Sequence, residues 1–271
     1  MGAPHKESVL EIDGLTALAG LFVGVIVGIT GVGGGALMTP ILVMLFGIAP
    51  QTAVGTDLLY ASITKMFGTA VHHNHGSVDW QIVRRLAYGS LPAAAATLGW
   101  MSMTDTHQVK GGFIITALGI ALIITAVGML LKDWLHNLGT KLRVGDSVHF
   151  KHVQPVLTVA CGIVLGVLVT LTSIGAGALG TVMLVYLYPL RLGANKLVGT
   201  DLAHAIPLAL IAGLGHLTLG NVNYGLLLNL LIGSIPGVLL GSFVSSRAPV
   251  TFIRYAIALV LAAVAIKMLT T

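Results

Sequence analysis

The chain has 271 residues, 56% of them hydrophobic and 8% charged. A soluble domain carries about 25% charged residues, so this composition, with a mean hydropathy of +0.96, excludes a water-facing globular protein. The net charge of +5 rests on only fourteen Lys and Arg, which suits membrane orientation rather than nucleic-acid binding. One cysteine, Cys161, excludes an intramolecular disulfide.

Hydropathy this strong predicts helices, because barrel strands alternate apolar and polar residues. Met1–Asp13 is polar and mixed in charge, and the apolar run behind it lacks an A-x-A site, so it reads as uncleaved. From Gly14 to Thr56 no residue is charged. That stretch is too long for one span of about 20 residues, and its middle holds GITGVGGGALMTP. Each interior glycine costs a helix about 1 kcal/mol against alanine, so the stretch predicts a broken hairpin, with a short helix restarting at Gly35 or Ala36. Val54–Val71, Leu86–Thr104 and Gly111–Leu131 follow as full spans. Val153–Leu190 is a second over-long uncharged stretch, predicted to turn at Ser173–Gly177. Val198–Leu217, Tyr224–Ser245 and Val250–Leu269 complete about ten segments.

The chain repeats itself. VGTDLLYA at Val54–Ala61 returns as VGTDLAHA at Val198–Ala205, an offset of 144. GSLP at Gly89–Pro92 returns as GSIP at Gly233–Pro236 at the same offset. Upstream the offset is 142, where GVGGGAL at Gly31–Leu37 meets SIGAGAL at Ser173–Leu179. The reading is an all-α integral membrane protein in two five-segment repeats, residues 1–131 and 153–271, joined by a cytoplasmic linker at 132–152. Five is odd, so the second repeat enters from the opposite face, an inverted-topology arrangement that points to secondary transporters. Ten Lys and Arg, from Arg84 to Arg254, fall on one side, against Lys6, Lys110 and Lys267 on the other. That bias makes the first side cytoplasmic and puts both termini outside.

Non-helical backbone at membrane depth survives only where protein or a watery cavity surrounds it. The free N–H groups of a helix that begins there attract anions. The candidate binding set is therefore Thr30, Gly31, Gly33, Gly34 and Gly35 with Thr172, Ser173, Gly175 and Gly177. Lys65 either contacts the anion or snorkels; at eight residues from Asp57 the two lie about 80° apart around the helix, too far round to pair. Asp57 and Asp201 read as proton sites, braces of the glycine turns, or N-caps. His72 and His216, matched across the repeat, read as proton-linked, gating or structural. HHNH at His72–His75 lacks acidic or thiol companions, so no metal and no cofactor is expected. His204, one turn after Asp201, is expected to hydrogen-bond it. Trp80 and Tyr224 read as interface anchors.

GLFVGVIVGITGVGGGALMTPILVMLFGIAPQTAVGTDLL, then GSVDW, GIVLGVLVTLTSIGAGALGTVML and KLVGTDL, resemble the sulfite exporter TauE/SafE family, also called the toluene sulfonate uptake permease family. The resemblance covers nearly the whole chain. It implies a permease of the bacterial or archaeal cytoplasmic membrane that exports sulfite, a sulfonate or another small organic anion without ATP. It also implies proton coupling and access that alternates as one repeat rocks against the other. Ser173 and Ala176 stand where the first turn has Gly31 and Gly34. The expected partners are a small anion and the bilayer, with a homo-oligomer compatible. A passive anion channel, an uptake permease and an intramembrane enzyme are the rival readings.

Overall fold

The computed structural model describes residues 13–30, 35–71, 78–104, 107–145, 147–244 and 250–270. Among them the regular structure is entirely helical: α1 (Gly14–Thr30), α2 (Gly35–Met44), α3 (Pro50–Val71), α4 (Trp80–Met103), α5 (His107–Gly145), α6 (Ser147–Thr172), α7 (Ala178–Leu187), α8 (Ala194–Thr218), α9 (Tyr224–Val244) and α10 (Val250–Thr270). Five of these, α5, α6, α8, α9 and α10, carry stretches long and apolar enough to cross a membrane. Their outward faces present Phe113, Ile120, Leu240, Phe252 and Leu259, the apolar coat a bilayer requires. Trp80 and Tyr224 start α4 and α9 and are exposed.

The breaks fall at the expected positions. α2 starts at Gly35, and α6 gives way to α7 across residues 173–177. At ten residues each, α2 and α7 are about 15 Å long, half the ~30 Å hydrocarbon core, so neither crosses by itself. The second break has a backbone only its sequence allows: Ser173 has φ 58°, Gly175 122° and Gly177 117°. A side chain is strained at both glycines.

The expected linker is mostly helix. Residues 132–145 continue α5 and 147–152 begin α6, with residue 146 outside the described residues. α3 begins at Pro50 and α8 at Ala194, so Asp57 and Asp201 lie two turns inside their helices. The N-cap reading of both is thereby removed.

Helix packing crosses between the two sequence halves. α1 lies on α9, with Gly20, Gly24 and Gly28 facing the backbone of Leu230, Ser234 and Val238. Gly233, Gly237 and Gly241 of α9 face the backbone of Ala17, Leu21 and Val25 in return. α4 lies on α6 in the same way, Gly89 against Val159, Gly162 against Leu86 and Gly166 against Ser90. Without Cβ atoms the helix backbones approach closely enough for dispersion to replace the hydrophobic effect that lipid does not supply.

The apolar cores follow those pairs. One cluster draws on α1, α2, α3 and α9, with Val23, Met38, Leu42, Tyr60 and Leu230 fully buried. A second draws on α4, α6, α7 and α8, around Ile82, Leu86, Leu165, Leu184 and Tyr188. A third joins α5 and α10 to the centre through Leu118, Leu122, Ala258 and Leu261.

Two hydrogen bonds tie the halves where α4 and α9 begin. The Asp79 amide donates to Thr200 Oγ1 at 2.9 Å, and the Asn223 amide donates to Thr56 Oγ1 at 3.1 Å. Thr56 and Thr200 are the threonines of the two VGTD motifs. Asp79 and Asn223 are 144 residues apart, and each accepts from an amide three residues on, Ile82 at 3.4 Å and Leu226 at 3.0 Å. These are N-caps.

Candidate functional site

Polar side chains converge inside the helix bundle around the second break. α3 contributes Asp57 and Lys65, α8 contributes Asp201 and His204, and the break contributes Ser173 and the Ala176 carbonyl. Asp57, Lys65, Asp201, His204 and Ser173 are all buried. Burying a charge is costly unless it is paired and hydrogen-bonded, so the partners of each are informative.

Lys65 does not snorkel. Its Nζ donates to the Ala176 carbonyl at 2.9 Å, tying α3 of the first half to the break of the second. The charges that act on it are Asp201 and, more weakly, Asp57. Among the ion pairs of the described residues Lys65 takes part in none, which agrees with the angular argument against an Asp57 pair. Of its three N–H groups, one is thus committed to the break.

Asp57 accepts a hydrogen bond at Oδ2 from Thr39 Oγ1 of α2 at 2.5 Å. Oδ1 has no partner. The Ser173 hydroxyl faces this carboxyl and acts on it as a donor, while neither Oδ1 nor Ser173 Oγ closes a hydrogen bond of ordinary geometry. Asp201 packs against Gly180 in the first turn of α7, where a Cβ would collide with its Oδ1. Its Oδ2 has no partner.

His204 does not bond Asp201. Its Nε2 pairs with Ser90 Oγ of α4 at 2.8 Å. Residues three apart on a helix share a face, but α4 lies closer to that imidazole than its own neighbour does. His216 is held at both ring nitrogens: Nε2 meets the Thr170 carbonyl at 2.9 Å and Nδ1 meets Asn221 Nδ2 at 3.4 Å. The Asn221 amide donates to Nδ1, so the proton sits on Nε2 and goes to the carbonyl. Its repeat partner His72, and Gly31, Gly33 and Gly34 of the first break, lie outside the described residues.

The hydroxyls at the breaks are used mostly in the backbone. Thr30 Oγ1 donates to the Ile26 carbonyl at 2.7 Å and Thr172 Oγ1 to that of Leu168 at 2.6 Å. Thr172 Oγ1 also accepts from the Ile174 amide at 3.1 Å, holding the start of the turn. The Gly175 and Gly177 carbonyls accept amides from the first turn of α7, Gly180 N on Gly175 O at 3.0 Å and Thr181 N on Gly177 O at 3.3 Å. Among the described residues no group of three His, Cys, Asp or Glu is placed to hold a metal ion.

At the ends of α4 and α8 sits an ionic latch. Arg191 grips Asp79 with Nε at 2.7 Å and one terminal nitrogen at 2.9 Å, and reaches Gln81 as well. Lys196 stands 3.7 Å away. Burial works to raise the Asp79 carboxyl, but the Arg191 hydrogen bonds and charge, with the Ile82 amide and Lys196, outweigh it and hold it below the ordinary carboxylate range. The repeat equivalent, Asn223, carries no charge.

Several of these residues were not legible in the sequence. Thr39, Ser90 and the Ala176 carbonyl gave no signal there, because a carbonyl is not sequence-specific and lone hydroxyls in apolar helices are common. Thr56 and Thr200 did carry one, as the invariant third letter of a repeated VGTD.

In a multi-pass helical membrane protein, a buried lysine and two buried carboxylates around a broken helix mark a candidate functional site. The family model for sulfite exporter TauE/SafE matches residues 16–268. The chain is 43% identical over 248 residues to the probable membrane transporter protein YjnA of Bacillus subtilis, covering 90% of this chain and 95% of that one. It is 27% identical over 249 residues to YdhB of the same organism, also a probable membrane transporter protein, covering 90% and 94%. With MJ0441 of Methanocaldococcus jannaschii, named likewise, identity is 24% over 217 residues, covering 78% and 74%. No solved structure matches. The chain belongs to the sulfite exporter TauE/SafE family, and it is a membrane transporter rather than an enzyme.

Proposed function

We propose that the protein is a secondary transporter that exports a small anion, sulfite or an organosulfonate before others, through a site at the second glycine break. The observation that carries this reading is Lys65. It is a buried ammonium, drawn to the break by one carbonyl, with N–H groups to spare and no ion pair among the described residues. A negative oxygen is its natural complement. Gly175 and Gly177, with Thr172 and Ser173, shape the backbone around that ammonium. Thr30 and Gly35, with Gly31, Gly33 and Gly34 between them in the sequence, are the proposed counterparts in the first half.

The reading includes an inverted ten-segment repeat in a prokaryotic cytoplasmic membrane, both termini outside, with residues 1–131 and 153–271 as the halves. Its support is the reciprocity of the fold. The Thr56–Asn223 bond is the repeat image of the Thr200–Asp79 bond, and the α1–α9 glycine contact is the image of the α6–α4 contact. Because these contacts exchange partners between the halves, the bodies that rock are α1, α2, α3 and α9 against α4, α6, α7 and α8. Lys65 in one body and Ala176 in the other straddle the boundary.

Asp57 and Asp201 are the candidates for proton coupling, each with a buried oxygen left unpartnered. His216 fits gating through its hold on Thr170 in α6, and His72 is its proposed counterpart.

The test is thermal stabilisation of the purified protein by sulfite, thiosulfate, sulfoacetate, sulfate, acetate and chloride. A ligand at 100 times its Kd stabilises by about 2.7 kcal/mol. Lys65→Met should abolish the shift while leaving a folded protein. Flux in proteoliposomes with and without a pH gradient then separates a coupled carrier from a passive channel. A folded protein that no anion stabilises refutes the proposal.

A further inference from the structure

The site offers more than a cation. Within it stand two carboxylate oxygens, Asp57 Oδ1 and Asp201 Oδ2, buried and without hydrogen-bond partners. Facing Asp57 is the Ser173 hydroxyl, 4% exposed and also unpartnered. Lys65 lies in the field of both carboxylates, and Lys132 of α5 adds a weaker positive field at Asp201. His204 is occupied with Ser90.

A buried polar atom left unpaired costs the full loss of its hydration. Native proteins keep such atoms rare, and each one calls for a reason. Here two of them are carboxylate oxygens whose charges act on one buried lysine, and the third is the hydroxyl that faces Asp57. A ligand that presented only negative oxygens would satisfy Lys65 and Ser173. It would also set its charge against two carboxylates, deepening the imbalance. A ligand that brings hydrogen-bond donors at its other end satisfies the acceptors as well as the ammonium.

Resting on the anion-site reading above, we infer that the ligand is an oxyanion carrying proton donors of its own, best met by a zwitterionic aminoalkyl sulfonate. The sulfonate oxygens take the spare Lys65 N–H groups and the Ser173 hydroxyl. The ammonium end takes Asp201 Oδ2 and Asp57 Oδ1. Asp201 and Asp57 then act as specificity determinants, and the binding step needs no net change in the charge of the site.

Equilibrium binding of three probes to the purified protein at pH 7 tests this: 2-aminoethanesulfonate, ethanesulfonate and sulfoacetate. The first two differ only in the ammonium. 2-Aminoethanesulfonate should bind at least about tenfold more tightly than ethanesulfonate, since a site built to pair a polar group discriminates strongly against its absence. Asp201→Asn is close to isosteric and should shrink that preference to within a few-fold. Lys65→Met should weaken every probe that binds the wild type. Ethanesulfonate or sulfoacetate binding as tightly as the amino compound would overturn the inference and leave the anion site standing. If none of the three binds a folded protein that sulfite still stabilises, the inference falls and the anion site stands; if sulfite fails as well, both fall. The wild-type comparison decides the matter even where a variant does not fold.

Discussion

Gly24 sits on α1 where it faces α9. A Cβ there would lie 2.6 Å from the Ser234 carbonyl oxygen and 2.8 Å from its Cα. Both are backbone atoms, so no rotamer change relieves the contact. Restoring ordinary van der Waals spacing requires the helices to part by about 0.4–0.8 Å in an interior packed like a crystal. Overpacking of this kind costs about 1–3 kcal/mol. Gly166 on α6 is the repeat equivalent, where a Cβ would come 2.9 Å from the Cα of Ser90. Gly24→Ala and Gly166→Ala should each destabilise by that amount, roughly 2–4 °C of melting temperature per kcal/mol for a chain of this size. The two lie in different helix pairs, so their effects should add. Gly99 in α4 has nothing within 4 Å, and Gly99→Ala should stabilise by about 0.5–1 kcal/mol through helix propensity alone. Cys161 supplies the assay, since it is the one cysteine and is half-buried on α6. A thiol-reactive fluorogenic dye reports its exposure on heating. Gly24→Ala and Gly166→Ala variants melting at or above Gly99→Ala would refute close backbone packing as the bond between the halves.

Thr200→Val and Thr56→Val each remove the acceptor of an inter-half amide and should cost about 1–3 kcal/mol in the same thermal assay; no loss in either would mean the bonds do not tie the two sequence halves together. The Asp79 latch has a definite pH sign. A carboxyl whose folded value is depressed contributes stability at and above its ordinary range, and that contribution is lost only as pH falls through the folded value. Melting temperature between about pH 5 and 8 should therefore respond equally in wild type and Asp79→Asn, with divergence confined to acid below the ordinary carboxylate value near 4. Asp79→Asn should also flatten the dependence of stability on salt, because Arg191 is partly exposed and its ion pair is screened. His204→Gln retains a partner for Ser90 and should leave the protein folded within about 1 kcal/mol, whereas His204→Leu leaves the Ser90 hydroxyl buried and unpaired and should melt lower.

The sequence made much of this legible, and what it hid follows a pattern. Composition settled the helices and the bilayer. The glycine motifs located the start of α2 and the break between α6 and α7 to within a residue, because their glycines are clustered rather than spaced one helical turn apart as in the packing stripes of α1 and α9. Lys65 and Asp57 stood out because a charge in such a run is rare. The partners of those charges did not stand out. Lys65 finds a backbone carbonyl 111 residues away, and backbone atoms leave no letter in the sequence. Asp57 and Asp201 looked like N-caps because Gly-Thr-Asp before an apolar run is a common helix start. Here the helices extend back to Pro50 and Ala194, since the residues before each motif also find apolar neighbours. His204 was expected on Asp201 from spacing along one helix, and a serine from another helix took it instead.

The pairing of α1 with α9 also governs how the protein must be made. α1 is the first apolar helix of the described chain to leave the ribosome, and about 210 residues separate Gly20 from its contact at Leu230. At about 5–20 residues per second, α1 waits roughly 10–40 s in the membrane before α9 exists. Throughout that interval its glycine stripe faces something other than its native partner, lipid or an insertion factor. In the image contact α4 waits for α6 across only about 70 residues, Gly89 to Val159, roughly 4–14 s at the same rate. The same contact, built twice, is therefore assembled on two different schedules, and α1 is the helix that waits longer for its partner.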